Sequence, residues 1–168
     1  ADRLDPDGVL DHTVGFEVDS EPQLEKGRET GAARLPHGAA FIWWDKAAAS
    51  MNAGTVRMRV QGSSAPTGNI VDLGSAINDP YLDVAALPND GVVFAWGSPA
   101  GGSLRAVVQV FDPGPVARGP AFVPSDASVL RRIAVNPAGD VIGVVGTRPE
   151  SGAAPKELWA RRFTLDGT

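Results

Sequence analysis

The chain has 168 residues, 43% hydrophobic and 21% charged, with a formal net charge of -5. That suffices for one domain with a real core, and it excludes a disordered chain and the basic footprint of a nucleic-acid binder. There is no cysteine for a disulfide or thiolate site, no apolar run near the roughly 20 residues of a membrane-spanning helix, and the 20 Gly and 14 Pro predict turns rather than long helices.

The first residues, "ADRLDPDG" (1–8), read as the end of a strand and an Asp-Pro-Asp-Gly turn. Starting in mid-strand, they suggest a mature fragment or an excised piece. A short strand is expected at 14–18. "AARLPHGAAFIWW" (32–44) then reads as a hairpin, with Pro36 and Gly38 at its turn. The alternating run 56–60 predicts the next strand, and 69–73 another. "AALPNDGVVFAWG" (85–97) predicts a second hairpin, followed by "GSPAGGS" (97–103) as a flexible loop and a strand over 107–111. A short strand at 121–123 precedes a third hairpin, "AVNPAGDVIGVVG" (134–146). A last strand covers 159–163 and runs into "RFTLDG" (162–167).

The hairpins are copies of one another. Pro36 and Gly38, Pro88 and Gly91, and Pro137 and Gly139 occupy matching places, with Gly spacings of 53 and 48 residues. Three residues after each Gly come Phe41, Phe94 and Ile142, and two further on Trp43, Trp96 and Val144. A second motif alternates with the first and aligns Leu4, Val60, Phe111 and Phe163 at spacings of 56, 51 and 52. Four short antiparallel strands repeating at about 50 residues make the unit of a β-propeller blade. The expected fold is therefore all-β, a propeller segment of three four-stranded antiparallel blades plus one leading strand. The single segment 1–168 divides into an orphan outer strand (1–8) and blades at 9–61, 62–112 and 113–168, each fourth strand preceding its hairpin. Stacking would bury Phe41, Trp43, Phe94, Trp96, Ile142 and Val144 between blades. Closed propellers typically hold four or more blades, so another copy, chain or segment is expected to complete this one.

Ala86-Leu87-Pro88-Asn89-Asp90-Gly91-Val92-Val93-Phe94-Ala95-Trp96, with Arg162-Phe163-Thr164-Leu165-Asp166-Gly167 and Arg3-Leu4-Asp5-Pro6-Asp7-Gly8, resembles a bacterial propeller-like repeat. Such repeats occur in large secreted or surface proteins, often beside calcium-binding or adhesin-like modules. The resemblance covers nearly the whole chain, although Gly143 and Val144 depart from it in the third copy. It implies an exported location (extracellular, cell-surface or periplasmic) and a scaffolding or binding role. It carries no catalytic signature.

Few residues invite chemistry. His37 falls at a hairpin turn and is read as an exposed turn residue; His12 sits in a loop. Two isolated histidines without cysteine do not make a zinc site. Asp5 and Asp7, and Asp79 and Asp83 with Asn78, could offer oxygens to calcium, but the further carboxylates of a 12-residue calcium loop are missing, and turns explain both stretches. No nucleophile elbow, sialidase-type box or phosphate loop is present, so no catalytic residue is assigned and no cofactor is implied. Trp43 and Trp96 share a repeat position and are read as core. Trp44 has no aromatic counterpart, since Gly97 and Val145 stand at its place. Two readings remain for it: buried against a neighbouring blade, or facing an assembly surface.

The expected function is a non-catalytic scaffold or binding module, contacting protein or glycan, with Trp44, His37 and Tyr81 as candidate contacts. The alternatives are a carbohydrate-active propeller enzyme, which needs two converging carboxylates, and a lectin, which needs equivalent exposed aromatics in every blade.

Overall fold

The computed structural model describes residues 3–4, 10–11, 25–46, 53–62, 69–77, 81–100, 103–124, 129–147 and 158–168. Every regular element among them is a β-strand: β1 (Arg3–Leu4), β2 (Leu10–Asp11), β3 (Glu25–Leu35), β4 (Gly38–Lys46), β5 (Ala53–Gly62), β6 (Ile70–Ile77), β7 (Leu82–Ala86), β8 (Val92–Ala100), β9 (Ser103–Asp112), β10 (Val116–Ala117), β11 (Val129–Val135), β12 (Val141–Thr147) and β13 (Leu158–Thr164). They form three antiparallel meanders, β3-β4-β5-β6, β7-β8-β9-β10 and β11-β12-β13, beside a β1-β2 pair. We call the meanders the first, second and third sheets. No helix is long and apolar enough to cross a membrane.

The three hairpins form where the Pro–Gly segments place them. Leu35 pairs with Gly38 across Pro36 and His37, Ala86 with Val92, and Val135 with Ile142. The runs at 56–60, 107–111 and 159–163 lie in β5, β9 and β13.

Four expectations need correction. The strand at 69–73 does not open the second sheet. It belongs to β6 and closes the first, pairing with β5 in a register that sets Asp72 opposite Arg57. Similarly, Phe122 bridges Val108 of β9, so 121–123 ends the second sheet. Each sheet therefore begins with the first arm of its hairpin. In consequence the third sheet has three strands among the described residues, not four. Finally, the described part of the expected loop, 97–100 and 103, is strand. β8 and β9 extend into it as far as Ala100↔Ser103, with Ser98 and Pro99 paired with Arg105 and Leu104. The leading residues 3–4 are paired with 10–11 rather than solitary, and the strand expected at 14–18 lies outside the described residues.

Two apolar clusters hold the sheets together. One joins Ile42, Trp44, Val56 and Met58 of the first sheet to Val92, Phe94, Trp96 and Phe111 of the second. The other joins Val93, Ala95, Val108 and Val110 of the second to Leu130, Ile133, Ile142 and Val144 of the third. Successive residues of β8 thus serve opposite faces, as pleating requires. The central strand is buried without a break from Val92 to Trp96, whereas β12 alternates buried with half-buried.

The three sheets stack in one sense. Phe94 and Trp96 face the first sheet, and Ile142 and Val144 face the second. The corresponding Phe41 and Trp43 lie on the far side of the first sheet, since Ile42 and Trp44 take the near side. The second motif corrects accordingly. Phe111 pairs with Val92, and Phe163 with Ile142, so both share this orientation. Val60 pairs with Ala40 on the opposite face, so it does not share their orientation.

Candidate functional site

Trp44 is 0% exposed and lies in the cluster between the first and second sheets. Its indole lies so close to Gly54 that a Cβ there would sit 2.4 Å from the ring nitrogen. Gly54 admits the ring, and Trp44 is a packing residue with no surface to offer a ligand. Trp43 and Trp96 are buried too, as their repeated position led us to expect.

His37 is exposed at its turn, with 79% of its side chain accessible. It nevertheless has a partner. Its backbone N–H donates to Asp90 Oδ1 at 2.7 Å, and its ring Nδ1 lies 2.6 Å from Asp90 Oδ2. Asp90 sits in the corresponding turn of the second sheet, with φ of 63°. Hydrogen bonding from the His37 ring is the main cause that holds the Asp90 carboxyl below its ordinary value. The contact therefore stabilises above the ordinary aspartate pKa and is lost as pH falls through the depressed one. His37 and Asp90 thus staple the turn of the first sheet to that of the second.

Tyr81 is exposed, and the Arg131 guanidinium lies 4.4 Å above its ring centroid. Arg131 sits at an irregularity in β11, where the register shifts between Leu130 and Arg132. The outer edge of β11 explains Asp83. Its carboxylate accepts the Ile133 N–H at 2.7 Å and its neighbour Val84's at 3.1 Å. Asp83 is therefore an inter-sheet tether between β7 and β11 rather than a free calcium ligand, and no cluster of three or more potential metal ligands exists among the described residues. Asp5, Asp7, Asp79 and His12 lie outside the described side chains. Asp83→Ala should strand the buried Ile133 amide, costing about 1–3 kcal/mol. Amide exchange at Ile133 should accelerate more than at Ile142; equal rates there would refute the tether.

The other described acids are engaged in the same structural way. Asp112 accepts from Arg118 at 2.9 Å and Asp140 from Asn136 at 2.7 Å, while Asp45 and Asp72 share Arg57. The last group is the one that reading the sequence missed. Trp43 Nε1 donates to Asp45 Oδ1 at 3.1 Å, Arg57 lies 2.6 Å from Asp45 Oδ2, and Arg57 Nε donates to Asp72 Oδ1 at 2.9 Å. This chain crosses three strands on the far face of the first sheet. The only hint in the sequence was an Arg in an alternating strand.

What remains is a surface. The outer face of the third sheet carries Val129, Ala134, Val141, Gly143, Val145, Leu158 and Ala160, together with Arg132, Arg162, Thr147 and Thr164, opposite in direction to Ile142 and Val144. Leu158 is 68% exposed there, and Val141 and Val145 are only half-buried. A Cβ on Gly143 would meet nothing closer than a backbone oxygen at 3.8 Å. No family model, curated protein or solved structure matches the chain. The functional reading therefore rests on this surface and on the repeat.

Proposed function

We propose that the chain is a non-catalytic segment of a β-propeller, serving as a scaffold or binding module of an exported bacterial protein and completed by a further sheet of the same repeat. The observation that carries this reading is the outer face of the third sheet. On the first and second sheets the corresponding faces, with Ile42 and Trp44 or Val93 and Ala95, are covered by the next sheet. On the third, Val141, Val145, Leu158 and Ala160 have the same orientation and no sheet over them among the described residues. Apolar surface so arranged gains roughly 25 cal/mol per Å² when covered. The bacterial and exported parts of the proposal are supported by the resemblance of the repeat. Protein or glycan contacts would then fall to the loops at the sheet ends.

The test is association of the full chain. Light scattering should show masses above the monomer that rise with concentration. Leu158→Asp places a charge on the uncovered face at a side chain 68% exposed, so it should abolish association while changing unfolding free energy by less than about 1 kcal/mol, as exposed substitutions do. A wild-type chain that stays monomeric and exposes no dye-binding apolar surface would refute the proposal.

A further inference from the structure

β11 holds one residue more than its partner strand between two neighbouring pairs of its ladder. Leu130 pairs with Gly146 and Arg132 with Val145, so Arg131 is the extra residue of a bulge. A bulge leaves such a residue out of the ladder and re-aims its side chain. Here the guanidinium is turned onto Tyr81, with its carbon 4.4 Å from the ring centroid. Its Nε donates to Thr147 Oγ1 at 3.3 Å, at the end of β12.

The surroundings hold this guanidinium in place. Gly97 N–H donates to Tyr81 O at 3.1 Å, which ties the residue before β7 to β8. Asp83, two residues on from Tyr81, accepts the N–H of Ile133, two residues on from Arg131. Tyr81–Arg131 and Asp83–Ile133 are thus successive contacts between the second and third sheets. The first sets the plane of the guanidinium, and the second fixes the spacing of the two chain segments.

Stacking and the Thr147 bond leave both Nη groups of Arg131 without a partner among the described residues. Arg57, Arg118 and Arg132 each meet an aspartate, whereas Arg131 meets none among those residues. Asp83 is already engaged by the Ile133 and Val84 amides and by Arg132. A half-buried guanidinium of fixed plane, with unspent donors along one edge, is shaped for a bidentate acceptor.

The charge selects among oxyanions. Arg132 lies 3.5 Å from Asp83 Oδ1, so one cation is left at the site. A carboxylate matches one positive charge; a phosphate group, at about -1.5 to -2, calls for more. A sugar acid would also carry a carboxylate, but it needs an aromatic face and polar groups for its hydroxyls. The Tyr81 face at this site is covered by Arg131, and the Thr147 hydroxyl already accepts from Nε. Both observations favour a carboxylate carried on a peptide.

We propose that Tyr81, Arg131 and Thr147 form a carboxylate-recognition site at the end of the second and third sheets, which receives an aspartate or glutamate side chain of a partner protein. Arg131 makes the contact, and Tyr81 and Thr147 are positioning residues. This rests on the binding-module reading and deepens it by naming the chemistry of the partner.

The test is titration of the full chain at low salt, followed by NMR. Tyr81 is the only tyrosine, so a tyrosine ring label reports on this site alone. The probes, at millimolar concentration, are a blocked pentapeptide with a central glutamate, its glutamine counterpart, galacturonate and inorganic phosphate. The glutamate peptide should shift the Tyr81 ring and Arg131 Nε–H resonances saturably, and its affinity should fall as salt is added. Arg131→Gln should weaken it about tenfold, the worth of a charge-assisted hydrogen bond. Thr147→Val, which frees the guanidinium to turn, should weaken it less. Thermal unfolding checks that both variants fold, and the salt dependence of the wild type carries the test without them. Equal binding of the glutamine peptide, or an unchanged affinity in Arg131→Gln, overturns the site. Tighter binding of phosphate or galacturonate overturns the peptide assignment. Concentration-dependent association without peptide binding would overturn the site and leave the scaffold standing. Peptide binding by a chain that never associates would overturn the propeller segment alone.

Discussion

Phe94→Ala should destabilise the chain by about 3–5 kcal/mol, the range for removing a fully buried aromatic from a packed core. Phe94 is fully buried in β8, the central strand of the central sheet. Its ring meets that of Phe111 edge to face, with centroids 5.7 Å apart and planes at 73°. It also belongs to the cluster that bonds the first sheet to the second. The cavity would therefore open between sheets, where two rigid layers cannot easily close it. Urea unfolding measures the loss. A matched Tyr81→Ala, at an exposed ring, should cost less than about 1 kcal/mol. Equal losses at the two sites would mean that the sheets are not held by this interface.

Phe94 also shows why much of the fold was legible. The repeat placed Phe41, Phe94 and Ile142 at one position, and the expected packing between sheets holds for Phe94 and Ile142, whereas Phe41 lies half-buried on the far face of the first sheet. Turn chemistry fixed the hairpins, because Pro and Gly in tight turns leave few alternatives. Assigning strands to sheets was harder. A strand midway between two hairpins can pair with either, and 69–73 has an alternating pattern that suits both. Its choice is set by Asp72 meeting Arg57 and by the bulge between Val56 and Arg57. Neither is visible until the register is known.

The site residues illustrate a similar limit. Alternation showed that Trp44 points away from Trp43, but not whether that side is covered. In this stack it is, because the second sheet lies against it. Asp83 sat near Asp79 and so looked like part of a ligand loop. Its true partner, the Ile133 N–H, is 50 residues away in sequence and is available because β11 is the outer strand of its sheet and Ile133 turns its amide away from β12. Which amides of an edge strand turn outward leaves no mark in composition or motif until the register is known.

The Asp45–Arg57–Asp72 chain leads to the second large effect. Arg57→Ala should destabilise by about 3–5 kcal/mol, because it leaves the Asp45 charge buried without its guanidinium. The Asp45 side chain is 1% exposed and that of Arg57 16%, so little water can replace the lost partner. Asp45→Asn should cost less. It removes the charge together with its need for a counterion and retains an oxygen for the Trp43 indole. A surface pair gives the contrast. Arg118 and Asp112 are 31% and 41% exposed, and Arg118→Ala should cost under about 1 kcal/mol. Salt separates the two cases, since 1 M NaCl screens exposed pairs far more than buried ones. The Arg57→Ala loss should persist at high salt. With the charge already removed by Asp45→Asn, adding Arg57→Ala should cost distinctly less than it does alone. Strict additivity of the two in a double-mutant cycle would show that Arg57 stabilises the sheet by packing and not through Asp45.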